Sequence, residues 1–237
     1  MNLQAFAKTP AISPSLISVC DPLRVLDSVR ALEGASVPML HLDLLDGYFS
    51  PCMPLGLDTV RALRGATALA LDCHIMAVRN EFFIRELLCI GVEQIVFHIE
   101  TEPHVDYWLN EIRAAGVRAG VALKPATPLC SLDYVLEKCD VVELMLINPG
   151  YAGSKNEAQV AYADRKVRDL RARIDACGLP TQIELDGRIS RQNIQAYGHG
   201  AAQIFVAGST CLDKNDLQAS AKLLVHYANE QGGKPHD

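Results

Sequence analysis

Residues 38–47 read PMLHLDLLDG, an apolar run that carries one histidine and two aspartates. In a β-strand, alternate side chains point to the same face. His41 and Asp43 would therefore project together, while Leu42 and Leu44 would face the other side. The segment predicts a buried strand that places an imidazole beside a carboxylate.

Seven further segments share the short length and the apolar, β-branched composition of this one. Glycine or proline bounds most of them, which is typical of buried parallel strands. They are AISPSLIS (11–18), LALDCHIM (69–76), QIVFHIE (94–100), GVALKP (120–125), VVELMLINPG (141–150), TQIELDG (181–187) and AQIFVAG (202–208).

Amphipathic segments between these strands predict helices. Before the second strand, Leu23, Leu26 and Val29 lie three residues apart and predict one buried stripe. A later stripe ends at Gly91, a position where helix C-caps favour a glycine with positive φ. Strands and helices are therefore expected to alternate along the whole chain.

The number of repeats indicates the architecture. Eight β-then-α units in 237 residues average roughly 30 residues each, which is the repeat size of a (β/α)8 or TIM barrel of roughly 250 residues. The competing architecture, a doubly wound open sheet, normally has fewer strands and a GxGxxG motif after the first, which is absent after residues 11–18. No linker or low-complexity tract divides the chain. We predict a single α/β TIM-barrel domain over residues 1–237, with the barrel core at about 11–230.

The composition limits the partners and the compartment. The chain is 49% hydrophobic and 21% charged, enough for a sizeable core. A net charge of −6 argues against nucleic acid or an anionic membrane as the main partner, but not against a small anion. The eight cysteines form no CxxC pair, no run approaches the ~18 apolar residues of a membrane helix, and the N-terminal segment lacks the pattern of a signal peptide. We expect a reduced cytoplasmic protein that binds neither nucleic acid nor membrane.

Nearly every predicted strand has a polar residue near its C-terminal end, where TIM barrels carry their chemistry. His41 and Asp43 come from the second strand, His74 from the third and Asp186 from the seventh. A single histidine in a strand is more often a hydrogen-bonded core residue, so the convergence of the set is what predicts a metal site. Two imidazoles and two carboxylates suit Zn²⁺, Mn²⁺, Fe²⁺ or Co²⁺ better than Ca²⁺ or Mg²⁺.

Glycine-rich loops follow the last three predicted strands. They read NPGYAGS (148–154), DGR (186–188) and AGS (207–209). TIM barrels often bind phosphate here, using backbone N–H groups and a helix N-terminus. One such glycine could serve only a tight turn, but three neighbouring loops with this feature favour a phosphate site.

With these motifs in place, the chain resembles the ribulose-phosphate 3-epimerase family, which comprises metal-dependent TIM barrels acting on phosphorylated ketoses. The resemblance runs in order from about residue 11 to 212. The family motif HxDxMDGxFVPN appears as HLDLLDGYFSPC, LDxHLM as LDCHIM, and MSVNPGFGGQ as MLINPGYAGS. Likewise PSILSAD appears as PSLISVC, NPATP as KPATP, VDGG as LDGR and VAGSA as VAGST.

The resemblance implies roles for particular residues. His41, Asp43, His74 and Asp186 would hold one divalent metal ion (Zn, Fe, Mn or Co), and Asp43 and Asp186 would also be the catalytic acid and base. Family members are usually dimers or hexamers, so we expect a homo-oligomer whose small-molecule partner is a sugar phosphate. The implied substrate and phosphate contacts are Ser15, Met76, Met145, Gly150, Tyr151, Ala152, Gly153, Gly187, Arg188, Gly208 and Ser209.

Epimerisation beside a ketone removes the C3 proton and returns one to the opposite face, so each face needs an acid or base. A metal that binds the C2 and C3 oxygens stabilises the enediolate, and the two carboxyl groups should differ in pKa. We expect inversion of C3 between D-ribulose 5-phosphate and D-xylulose 5-phosphate. The alternatives are a ketohexose 6-phosphate such as D-allulose 6-phosphate as substrate, or a non-catalytic sugar-phosphate-binding protein.

Several positions depart from the family motifs. Strand parity places Lys124 and Glu184 inside the barrel, so a buried ion pair between them is an alternative to a substrate contact by Lys124. Arg188 could pair with phosphate or crowd the backbone around it. The departures are Leu45 for methionine, Cys52 and Lys124 for asparagine, Ser154 for glutamine and Arg188 for glycine.

Overall fold

Eight parallel strands form the interior of the protein. The structure, a computed structural model, describes residues 2–232. Within that range the strands are β1 (Ala11–Pro14), β2 (Met39–Leu45), β3 (Ala70–Met76), β4 (Gln94–His98), β5 (Arg118–Leu123), β6 (Val141–Met145), β7 (Gln182–Asp186) and β8 (Ile204–Ala207). The predicted single domain over residues 1–237 stays a prediction, and its residues 1 and 233–237 lie outside the described range.

From β2 to β8 each strand pairs with the next one in the chain, and β8 pairs with β1. A bridge between Ser15 and His41 joins β1 to β2, so the sheet forms a nearly closed barrel. The predicted TIM-barrel fold is therefore confirmed, and the open doubly wound sheet was the wrong alternative. The first strand is shorter than predicted because Pro14 ends it and residues 16–19 form a helical turn.

Eight helices lie among the described residues. No helix in residues 2–232 has the length and apolar character that a membrane span requires. Between β5 and β6 the chain forms two short 3-10 turns instead of an α-helix. The helices are α1 (Leu16–Val19), α2 (Val25–Gly34), α3 (Leu57–Ala66), α4 (Asn80–Ile90), α5 (Val105–Ala114), α6 (Ala163–Ala176), α7 (Arg191–Tyr197) and α8 (Leu217–Gly232).

The stripe predicted for the first long helix is wrong at two of its three positions. Helix α2 begins at Val25, so Leu23 lies before it and is 92% exposed, and Leu26 is 48% exposed. The buried side chains of α2 are Val29 and Leu32. The starting residue of the helix sets which positions face the barrel, and spacing alone did not determine it.

The interior of the barrel changes from apolar at the bottom to polar above. Its floor contains small and apolar side chains, such as Phe6, Met39 and Ile204, and also Arg118, which lies over the Phe6 ring and donates to Gln94 Oε1 at 2.9 Å. Above this floor the inward positions carry polar groups, while outward residues such as Leu42 pack against the helices. Because buried polar groups need partners, the hydrogen bonds among them fix the geometry of the site described next.

Candidate active site

Four side chains meet at the C-terminal ends of β2, β3 and β7. One possible ligand atom from each of His41, Asp43, His74 and Asp186 lies within 4.8 Å of the others. Asp43 Oδ1 is 3.4 Å from His41 Nε2 and 3.6 Å from His74 Nδ1. The structure thus brings together all four residues predicted as metal ligands.

The cluster suits a bound cation. His41 Nε2 and His74 Nδ1 are buried and make no hydrogen bond of regular geometry, although carboxylate oxygens lie 3.4 Å from His41 Nε2 and 2.9 Å from His74 Nδ1. Burial alone would lower the pKa of His41, but the charges of Asp43 and Asp72 raise that pKa well above its usual value. Positive charge is therefore favoured at this place. A divalent ion with mixed nitrogen and oxygen ligands matches this donor set.

A network beneath the cluster orients His41. Asp72 Oδ2 lies 2.8 Å from His41 Nδ1 and accepts a hydrogen bond from Ser13 Oγ at 3.1 Å. Burial would raise the pKa of Asp72, but the charge of His41 lowers it to about 2. An ionised Asp72 accepts the Nδ1 hydrogen of His41, so Nε2 faces Asp43. Many metal-binding histidines likewise donate one ring N–H to a carboxylate and bind the metal through the other nitrogen.

Glu184 belongs to this network and does not contact Lys124. Gln94 Nε2 donates to Asp72 Oδ1 at 2.8 Å and to Glu184 Oε2 at 2.9 Å. Burial and the charge of Asp72 raise the pKa of Glu184 well above its usual value. The predicted alternative of a buried Lys124–Glu184 pair is wrong. Strand β5 ends at Leu123, so strand parity no longer governs Lys124, whose Nζ lies 4.0 Å from the centroid of the Phe49 ring.

The two carboxyl groups of the cluster differ in protonation. Burial would raise the pKa of Asp43, but His41 and His74 lower it far below its usual range. Burial and the charge of Asp43 raise the pKa of Asp186 to about 7. Ser15 Oγ also donates to Asp43 Oδ2 at 2.9 Å. An acid and base pair needs this kind of difference in pKa.

His74 has two close neighbours that the sequence did not assign. Glu143 Oε1 lies 2.9 Å from His74 Nδ1, and His98 Nε2 lies 3.0 Å from His74 Nε2. Burial alone would lower the pKa of His74, but the charge of Glu143 and hydrogen bonding to Asp43 raise it to about 10. Glu143 occupies an inward position on β6, two residues before Met145, so strand parity was the signal that could have found it.

A cavity of about 400 Å³ opens above the cluster. The predicted contact Tyr151 does not line it and is 45% exposed. Leu45 and Cys52 line the cavity, whereas Lys124 and Ser154 do not. The predicted contacts that do line it are Ser15, Met76, Met145, Gly150, Ala152, Gly153, Gly187, Arg188, Gly208 and Ser209.

Arg188 connects two of the glycine-rich loops. Its Nη2 donates to the carbonyl oxygens of Ala152 at 2.9 Å and Ser154 at 2.8 Å. Its φ is 52°, a left-handed value that a glycine adopts without strain. At Gly187, a Cβ atom would lie 2.9 Å from the backbone nitrogen of Ile147. Through its two hydrogen bonds the Arg188 side chain joins the loop after β7 to the loop after β6 and does not fill the backbone turn at Gly187.

Lys214 is a cation on the wall of the cavity that sequence reasoning missed. It lies in a short 3-10 turn before α8 and lines the cavity together with Ser209 and Thr210. No motif or strand parity marks this position. Together with Arg188 it gives this end of the cavity two positively charged side chains.

A TIM barrel with a His and Asp cluster at one end of its cavity and glycine-rich loops at the other defines the class of barrel enzymes with a candidate metal centre. Comparison with known proteins identifies the family. The Ribulose-phosphate 3 epimerase family model matches residues 11–212. The chain belongs to this family of metalloenzymes and is an epimerase, that is, an isomerase that acts on a sugar phosphate.

Relatives of similar length support the assignment. Ribulose-phosphate 3-epimerase 2 of Cupriavidus necator is 34% identical over 223 residues, which are 92% of this chain and 91% of the relative. Ribulose-phosphate 3-epimerase of Escherichia coli K12 is 35% identical over 209 residues, 87% of this chain and 91% of the relative. Among solved structures, KGPDC from Streptococcus mutans has a TM-score of 0.69 at 10% identity, covering 95% of this chain and 100% of that chain. The last comparison concerns the fold alone.

Proposed function

We propose that this enzyme interconverts D-ribulose 5-phosphate and D-xylulose 5-phosphate by inverting C3. The observation that carries the proposal is the pair of Asp43 and Asp186, which lie in one cluster with opposite shifts in pKa. The names of the relatives support a pentose phosphate as substrate. The proposed cofactor is one divalent ion (Zn, Fe, Mn or Co), held by these two aspartates with His41 and His74.

The two carboxyl groups would act on opposite faces of the substrate. When bound, the divalent ion supplies a Lewis acid that stabilises negative charge on the substrate oxygens. Ionised Asp43 takes the C3 proton on one face, and protonated Asp186 returns a proton on the other. In the reverse direction they exchange roles. The hydrogen bond from Ser15 to Asp43 Oδ2 at 2.9 Å keeps the second oxygen of Asp43 oriented throughout.

The other end of the cavity would hold the phosphate. The loops after β6, β7 and β8 present glycines 150, 153, 187 and 208 to the cavity. The N–H of Gly187 already donates to Asp186 Oδ1 at 2.6 Å, while the backbone N–H groups of the other three glycines suit an anion. Binding the phosphate away from the reacting carbon supplies energy that positions C3 between the carboxyl groups.

We also propose a cytoplasmic homo-oligomer, a dimer or a hexamer. The family resemblance supports self-association, and the scattered spacing of the eight cysteines, with no CxxC pair, favours a reducing compartment. Sedimentation analysis of the purified protein would give a dimeric or hexameric mass. A monomer at all concentrations would contradict the oligomer.

A ketohexose 6-phosphate such as D-allulose 6-phosphate is the second candidate substrate, because Leu45 and Cys52, both departures from the family motifs, line the cavity. The test is to incubate the metal-loaded enzyme in D₂O with each sugar phosphate and follow C3 by NMR. We expect deuterium at C3 and inverted product with D-ribulose 5-phosphate. Faster turnover of the hexose phosphate would favour the second candidate. No exchange with either sugar would contradict both.

A further inference from the structure

We infer that His98 and Glu100 are positioning residues that fix the tautomer of His74 and so direct its Nδ1 lone pair toward the proposed metal. The inference rests on the proposed metal site, which includes His74. It assigns a role to two residues that contact neither the substrate cavity nor the other proposed ligands.

The three residues form a chain of hydrogen bonds that leads away from the site. His98 Nε2 lies 3.0 Å from His74 Nε2, and His98 Nδ1 lies 3.0 Å from Glu100 Oε2. Both imidazoles are fully buried. The other oxygen of Glu100 accepts the backbone N–H of Lys124 at 2.7 Å and the hydroxyl of Thr127. Glu100 is thus held in place from the loop after β5.

Counting hydrogens along this chain assigns the tautomers. An ionised carboxylate only accepts, so His98 Nδ1 carries the hydrogen that Glu100 Oε2 receives. An uncharged imidazole has one N–H, which leaves His98 Nε2 as an acceptor. The single hydrogen between the two Nε2 atoms then belongs to His74. Its Nδ1, 3.6 Å from Asp43 Oδ1 and 2.9 Å from Glu143 Oε1, is then the atom that offers a lone pair to the cluster once a bound metal ion replaces its hydrogen.

The surroundings of His98 keep this chain shielded from water. The Phe49 ring packs on His98 with centroids 4.6 Å apart, and Lys124 Nζ lies 4.0 Å from the Phe49 ring centroid. Lys124 therefore supports the chain twice, through its backbone N–H on Glu100 and through its side chain on Phe49. This gives Lys124 a structural role although its side chain does not line the substrate cavity.

Partners of this kind control metal affinity because they orient the ligand and raise its basicity, and their loss typically costs about 10- to 100-fold in affinity. We expect His98→Leu to weaken Zn²⁺ binding by about that factor in chelator competition. His98→Gln retains an oxygen that can accept from His74 Nε2 and should recover part of the loss. Glu100→Gln should weaken binding less than His98→Leu.

Phe97→Leu is the matched control, because Phe97 lies on the same strand but packs outward in the core. It should lower the free energy of unfolding and leave Zn²⁺ affinity unchanged. Wild-type affinity in His98→Leu would overturn the inference.

A second measurement uses the wild-type protein and needs no variant to fold. In ¹⁵N-histidine NMR of the Zn²⁺-loaded enzyme, we expect His74 to carry its hydrogen on Nε2 and to bind zinc through Nδ1, and His98 to carry its hydrogen on Nδ1. A His74 that binds zinc through Nε2 would overturn the inference.

The two proposals fail in distinguishable ways. Zinc binding that is equal in wild type and His98→Leu removes only the positioning role. A wild-type protein that binds no zinc removes the metal site and the positioning role together. Neither experiment contains a sugar phosphate, so the substrate assignment is tested only by turnover.

Discussion

The carboxyl group of Asp186 lies in the same cluster as the carboxylate of Asp43, and the two groups prefer opposite protonation states. Burial and the charge of Asp43 raise the pKa of Asp186 to about 7. His41 and His74 outweigh the burial of Asp43 and lower its pKa below the usual range. Near neutral pH the two carboxyl groups can therefore hold one proton between them. The protonated group can donate it to one face of a substrate while the ionised group takes a proton from the other face.

The first prediction concerns this pair. Asp43→Asn and Asp186→Asn should each lower kcat for epimerisation by about 10²- to 10⁴-fold, since each removes one proton carrier. In D₂O, each variant should retain C3 exchange in only one of the two epimers. NMR would measure this, with metal content determined in parallel. Asp58→Asn, at a fully exposed side chain, is the control and should match wild type. Inversion at the wild-type rate in either site variant would contradict the two-carboxylate mechanism.

The second prediction concerns stability and pH in the metal-free protein. The pKa of Asp186 is about 7 in the folded state and near 3.8 when exposed, so between these values the folded state binds more protons than the unfolded state. The free energy of unfolding must then fall as pH rises through this window. Asp186→Asn removes this loss and should be more stable than wild type by about 4 kcal/mol at pH 8, with little difference at pH 4. Urea unfolding at the two pH values measures it. The same difference in free energy of unfolding between variant and wild type at pH 4 and pH 8 would show that Asp186 does not titrate in this window.

The third prediction concerns Lys214. Lys214 lines the end of the cavity proposed to hold the phosphate, so Lys214→Met should raise KM about fivefold, equivalent to about 1 kcal/mol, and change kcat little. Inhibition by inorganic phosphate should weaken by a similar factor. Lys222→Met, an exposed change on α8, should leave both values unchanged. An unchanged KM and phosphate inhibition in Lys214→Met would exclude Lys214 from the phosphate site.

The fourth prediction separates the backbone of Arg188 from its side chain. Arg188→Ala loses the hydrogen bonds to Ala152 and Ser154 and keeps a left-handed residue with a Cβ atom. Arg188→Gly loses the same bonds but relieves the strain, which costs roughly 1 kcal/mol. We expect the glycine variant to be more stable than the alanine variant by about that amount, with KM raised equally in both. Equal stability in thermal unfolding would show that the backbone at this position is not strained.

Local sequence patterns predicted the fold and the four residues of the central cluster. The alternation of polar and apolar residues placed His41 and Asp43 on one face of β2, and the eight-fold repeat brought His74 and Asp186 to the same end of the barrel. The glycine at the end of α4 was also predicted, and Gly91 has a φ of 82°. Each of these features depends on a local pattern and on the geometry of the barrel.

Features that depend on neighbouring strands or on the ends of elements were not predicted. Strand parity could have marked Asp72, two residues before His74, and Glu143 as inward-facing, but no spacing shows which side chain each of them reaches across the barrel. The Lys124 prediction failed because β5 ends one residue earlier, at Leu123. A shift of one residue at the end of a strand is enough to decide whether a side chain points into the barrel or lies outside it.

The floor of the barrel has a consequence for the exchange of protons. Phe6, Met39 and Ile204 lie at the lower end, and Asp72 and Glu184 above them are fully buried. The cluster above these groups opens to the cavity where the substrate would bind, and at the lower end Gln94 links them to half-buried Arg118. A bound sugar phosphate would cover the upper opening and slow the exchange of interior protons with solvent for as long as the ligand remains.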